Sequence, residues 1–109
     1  MELFRNDHTG ETIYVDKDTI RHKGDVVKWW ELEDFKTVQT VGGIRFLSAK
    51  LQWEFECAQE RMRILALTEF SGNMGKGDVV LSESSDQPWR PVEPDSFGFK
   101  MWKVVCGKP

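Results

Sequence analysis

From Lys50 to Cys57 apolar and polar side chains alternate without a break. Leu51, Trp53, Phe55 and Cys57 fall on one face, and Lys50, Gln52, Glu54 and Glu56 on the other. A period of two predicts a strand with one buried and one wet side, which turns Cys57 toward the core. After a reversal at Ala58-Gln59-Glu60 the segment Arg61–Phe70 sets Met62, Ile64, Ala66 and Thr68 against Arg61, Arg63, Leu65 and Leu67, and it predicts the next antiparallel strand. Upstream, the β-branched and aromatic run Glu11–Asp16 predicts a strand closed by a turn at Asp16-Lys17-Asp18. The runs Ile20–His22 and Val26–Phe35 flank Gly24, which reaches φ > 0 without a Cβ clash, so residues 20 to 35 read as a hairpin. Thr37–Gly43 has no clean period and reads as a loop joining two strand pairs. Val79–Ser82 predicts a short strand.

The pattern changes in the tail. Pro88, Pro91 and Pro94 fix φ and lack a donor, so the stretch 86–94 reads as an extended, ordered crossing rather than a central strand. Beyond it, Pro94-Asp95-Ser96 supplies helix-starting residues, and Phe97, Met101, Val104 and Val105 recur at helical spacing beside Trp102. A C-terminal helix over about 95–106 follows, ending near Gly107. Together the elements predict an α+β fold: a mostly antiparallel sheet of about six strands with the helix packed on it.

Composition narrows the class. The chain has 109 residues, enough for one domain over 1–109 and one core. Five Trp and seven Phe suit a packed interior, while 30% charged residues and the absence of any long apolar run predict no transmembrane span. Met1 to Asp7 do not read as a signal peptide, so any export signal is expected to have been removed or never to have existed. A net charge of -3 gives nucleic acid no general attraction.

Candidate chemistry is sparse. Arg61 and Arg63, with Arg45 and Lys50 upstream, are candidates for a basic strip on one exposed sheet face, although alternating charge on a wet face is expected of any half-buried sheet. The Gly-rich stretch Ser71–Asp78 contains Lys76 but lacks the spacing and hydroxyl of a P-loop, and it reads as a mobile connecting loop. Trp29, Trp30 and Trp89 are candidates for a binding platform. Adjacent Trp29 and Trp30 face opposite sides, so at least one must leave the core face, where the helix or the Pro-rich crossing is expected to cover it. His8 and His22, the two histidines, read as solvent-facing, and no zinc-ligand spacing can be assembled. Cys57 on an apolar face is a poor nucleophile. Glu31, Glu33, Asp34, Glu54 and Glu56 read as solubilising charges. No catalytic residue, cofactor or metal is expected. The two cysteines would pair if the chain is exported and would stay buried thiols if it is cytosolic.

Segments spread along nearly the whole chain resemble the bacterial surface-adhesin protein E family. They are Ile13-Tyr14-Val15-Asp16 with Thr19-Ile20-Arg21, Val26–Phe35, Trp53–Cys57, Glu60–Arg63, Phe70–Gly75, Pro88–Pro94 and Trp102–Gly107. The resemblance implies an exported envelope protein of Gram-negative bacteria, with an antiparallel sheet, a C-terminal helix and a disulfide between Cys57 and Cys106. It further implies non-enzymatic binding of protein partners, host matrix proteins among them, in proteins that can be lipid-anchored homodimers. Two other readings stay in view: a periplasmic inhibitor or assembly factor acting through loop 71–78, and a carrier of a small, haem-like ligand using the aromatic face.

Overall fold

The computed structural model describes residues 2–6, 10–84 and 87–107. Strands β1 (Glu2–Asn6), β2 (Glu11–Val15), β3 (Arg21–Lys23), β4 (Val26–Val41), β5 (Ile44–Glu56), β6 (Arg61–Phe70), β7 (Val79–Ser84) and β8 (Arg90–Pro91) are followed by helix α1 (Phe97–Val105). All pairings are antiparallel, in the order β1-β2-β4-β5-β6-β7, with β3 beside β4 and β8 beside β6. The expected sheet of about six strands is this main path. Position His8 and the first residue of the expected crossing, Asp86, lie outside the described residues.

The β3–β4 hairpin turns at Gly24, whose φ is +60°. Residues 37–41, expected as loop, instead continue β4, and only Gly42-Gly43 form the turn, with φ of +58° and +80°. The period was hidden because this end of the hairpin outreaches its neighbours: β2 pairs no further than Phe35, and β6 no further than Ser48. Without a buried face there is no alternation to read, and Val38 and Val41 are exposed.

A register shift opposite Gln52 and Trp53 inserts Leu65 as an extra residue in β6. Met62 and Ile64 precede it in register with Phe55 and Trp53; after it, Leu67 and Glu69 stand beside Leu51 and Ala49. The even-numbered face expected along all of Arg61–Phe70 therefore changes at Leu65, because one extra residue in a period of two exchanges the faces.

Helix α1 starts at Ser96, whose Oγ accepts from the Phe99 amide at 3.1 Å. It buries Met101, Trp102 and Val105 against Val15, Val27, Trp29 and Phe55. Val104, expected on the buried stripe, is exposed. Cys57, just beyond β5, is bonded to Cys106 at the helix C-cap, with a Cα–Cα distance of 5.6 Å, and the Trp102 indole donates to the Cys57 carbonyl at 3.1 Å. A second cluster of Phe35, Phe46, Ala49 and Leu51 fills the core away from the helix.

Candidate functional site

Two excursions from the sheet define a cleft on the face opposite the helix. Between β2 and β3 the chain leaves β4 at residues 16–20. Asp16 starts this excursion by accepting from the Asp18 amide through Oδ1 at 2.9 Å and from the Thr19 amide through its carbonyl at 3.0 Å. Thr19 Oγ1 then accepts from the Trp30 amide at 3.2 Å, supplying the partner that the interrupted strand cannot.

The second excursion, residues 71–78, was expected to be mobile. It is tied to the sheet instead. Asn73 Nδ2 donates to the Phe35 carbonyl at 2.7 Å, and the Met74 amide donates to Asp34 Oδ1 at 2.7 Å. Ser48, fully buried on β5, donates through Oγ to the Gly72 carbonyl at 2.7 Å and accepts from the Gly75 amide at 2.9 Å. Glycine is required at residue 77, where φ is +83° and a Cβ would lie 2.5 Å from Ser71 Oγ and 2.9 Å from the Gly72 amide. The amides of Gly72, Met74, Gly75, Lys76 and Asp78 all donate to protein oxygens, so these five are not free to cradle a phosphate.

Between the excursions lies a cleft of about 480 Å³, floored by Trp30, Leu32 and Phe70 and bordered by Tyr14, Asp16, Thr19, Lys50 and Met74. Lys50 Nζ lies 5.0 Å from the centre of the Trp30 ring. Trp30 is half-buried, whereas Met74, held at φ +55°, is exposed. Sequence reasoning singled out Lys50 only as part of a basic strip, and it flagged the Trp29-Trp30 adjacency. It missed Tyr14, Phe70 and Met74, which reach the cleft through three different elements and share no local pattern.

The other candidate residues are distributed differently. Trp29 is 1% exposed beneath the helix, which removes it from any surface platform. Arg61 and Arg63 do not form a basic strip, because each meets a carboxylate across the β5–β6 pair: Arg61 with Glu56 and Arg63 with Glu54, both at 2.6 Å. Both also lie over the Trp89 ring, at 5.2 and 4.2 Å, and so fasten the crossing to β6. Arg45 is exposed near the tip of the β4–β5 hairpin, paired with Thr40, and Lys76 is exposed in the second excursion. His22 is exposed, and neither described cysteine is a free thiol.

Glu31 and Glu54 are buried rather than solubilising, at 3% and 6% exposure. Glu54 is held by Arg63 and, at 3.7 Å, by Lys28. Glu31 accepts from the Trp53 indole, and burial still pushes its carboxyl up to about 7, with Glu11 adding repulsion. Burial, with the charges of Glu31 and Glu11, pushes Glu33 up to about 8. No group of His, Cys, Asp and Glu among the described residues has a metal-binding arrangement.

The family model for surface-adhesin protein E matches residues 1–107. Several solved structures of Haemophilus influenzae protein E share the fold. One, a second crystal form, superposes with a TM-score of 0.69 at 13% identity, covering 87% of this chain and 80% of that one. Another gives 0.66 at 14% identity over 98% and 92% of the two chains. A structure of protein E from a non-typeable strain gives 0.58 at 11% identity over 97% and 75%. No curated protein sequence matches this chain. Matched along almost its whole length, the chain belongs to the surface-adhesin protein E family.

Proposed function

We propose that this chain is an exported, disulfide-stabilised protein of the Gram-negative cell envelope that binds proteins of the extracellular matrix without transforming them. The cleft between residues 16–20 and 71–78 is its contact surface. The observation that carries this reading is the half-buried Trp30, capped by Lys50 and flanked by two excursions that hydrogen bonds hold in place. A fixed rim around an aromatic anchor lowers the ordering cost of association, and aromatic residues in such pockets dominate binding energy. Family membership supports the surface role, and the Cys57–Cys106 bond suits an oxidising compartment.

The test is surface plasmon resonance of the purified chain over a panel of extracellular-matrix proteins. Saturable binding to at least one is expected, weakened about tenfold or more by Trp30→Ala and by the rim variant Lys50→Glu, as an anchor and a rim charge should behave. Circular dichroism melts establish that the Lys50→Glu variant is folded. No binding to any of the panel, or binding that both variants leave unchanged, contradicts the reading. Retention of a partner from the parent cell's own periplasm, with no matrix binding, would favour an assembly factor or inhibitor instead.

A further inference from the structure

The helix-bearing face of the sheet holds a second cleft, of about 470 Å³, between α1, strands β5 and β6, and the crossing that carries Arg90 and Pro91. Its lining is mainly apolar and includes Trp53, Met62, Phe97 and Met101. The walls are fixed by covalent and main-chain ties. Arg90 and Pro91 pair with Met62 and Arg61, the Val92 amide donates to the Glu60 carbonyl at 2.9 Å, and the disulfide anchors the far end of α1. At Gly98 a Cβ would lie 2.8 Å from Met62 Sδ, so the first turn of the helix closes tightly on β6 beside the cleft.

Two polar groups at this cleft stand out among the described residues, one a buried donor without a hydrogen-bond acceptor and the other a guanidinium without an ion pair. Trp29, which lines it, is 1% exposed, and its indole N–H is buried without an acceptor among the described residues. A buried donor without an acceptor is uncommon and calls for an explanation. Arg90, exposed at the rim, stacks its guanidinium over the Trp53 ring at 5.6 Å and forms no ion pair with any described residue. Its neighbours Arg61 and Arg63 are both neutralised by carboxylates. An apolar, largely preformed cleft with a few polar groups fixing orientation is the usual build of a small-molecule site.

We propose that this cleft binds a small amphipathic acid, an apolar chain carrying one carboxylate, with the chain against Met62, Phe97 and Met101 and the carboxylate on Arg90. Charge selects the acid over an alcohol or an amine of equal length, because a guanidinium pairs with a carboxylate through parallel charge-assisted bonds. Glu93 also lines the cleft and opposes the bound charge, which gives a second variant of opposite sign. This site is independent of the matrix-binding cleft, since Trp30 and Trp29 are neighbours on β4 and point to opposite faces.

The probe is dodecanoate, titrated into the intact, disulfide-bonded chain and followed by the tryptophan indole N–H resonances. Saturable binding with one site is expected, shifting the Trp29 and Trp53 resonances, with dodecanol and dodecylamine about tenfold weaker or more. Arg90→Gln is expected to weaken dodecanoate about tenfold while leaving dodecanol unchanged, and Glu93→Gln to strengthen it; a tenfold change is the size of one good charge-assisted contact. Trp30→Ala leaves dodecanoate binding intact. Absence of saturable binding, equal affinity for the three head groups, shifts confined to Trp30, or an Arg90→Gln variant that binds dodecanoate normally would each overturn the proposal.

Discussion

The Trp53 indole donates to the Glu31 carboxylate across the β4–β5 pair, on a sheet face that buries Glu31 and half-buries Trp53. The bond favours the charged carboxylate, yet burial outweighs it and holds Glu31 up to about 7. Glu33, two residues on, is pushed higher still, to about 8, because burial and the charges of Glu31 and Glu11 act in the same direction.

This arrangement makes stability depend on pH with a definite sign. In the unfolded chain both carboxyls titrate near 4.5; in the folded chain they keep their protons to about 7 and 8. The folded state therefore binds more protons between those limits, and the contribution of these groups falls as pH rises from about 4.5 to about 8, then levels. Urea midpoints measured from pH 4.5 to 9 are expected to decline over that window. Glu33→Gln, which cannot ionise, is expected to flatten the upper part of the decline.

Reduction of Cys57–Cys106 releases the helix C-cap from the end of β5. The bond spans a sequence separation of 49, and closing such a loop contributes roughly 4 kcal/mol in the chain-entropy model. A Tm lowered by about 20 °C is expected for the Cys57→Ser/Cys106→Ser variant, measured by circular dichroism.

Ser48→Ala removes an oxygen that is fully buried and serves both the Gly72 carbonyl and the Gly75 amide. Leaving both unpaired is expected to cost roughly 1–3 kcal/mol. Hydrogen exchange at Gly75 should quicken much more than at strand amides of β5, which reports release of the 71–78 excursion rather than general loosening.

Gly77→Ala tests the same excursion through its backbone. A side chain there meets both an unfavourable φ and the Gly72 amide, an expected cost of about 1–3 kcal/mol. Denaturant melts of the purified variant measure it, and matrix binding should weaken alongside.

Much of this fold was legible because its strands are half-buried. Leu51, Trp53 and Phe55 alternate with polar residues along β5, and Ser96 stands three residues before the amide it caps. What escaped notice lies where period two is broken or absent. The extra residue at Leu65 exchanges the faces of β6 without altering its composition, and residues 37–41 form strand beyond the reach of their neighbours. Buried Glu31 and Glu54 looked like surface charges because their partners, Trp53 and Arg63, come from other strands. The cleft was only partly visible for a similar reason: adjacent Trp29 and Trp30 announced that one indole leaves the core, but the walls around Trp30 are assembled by tertiary contacts.

Surface biotinylation of intact parent cells, followed by thiol alkylation and intact-mass measurement of the recovered chain, tests the central claim most directly. The account predicts a chain labelled on whole cells and carrying no alkylatable thiol until reductant is added. A chain that is labelled only after lysis and alkylates at both Cys57 and Cys106 without reductant would contradict it.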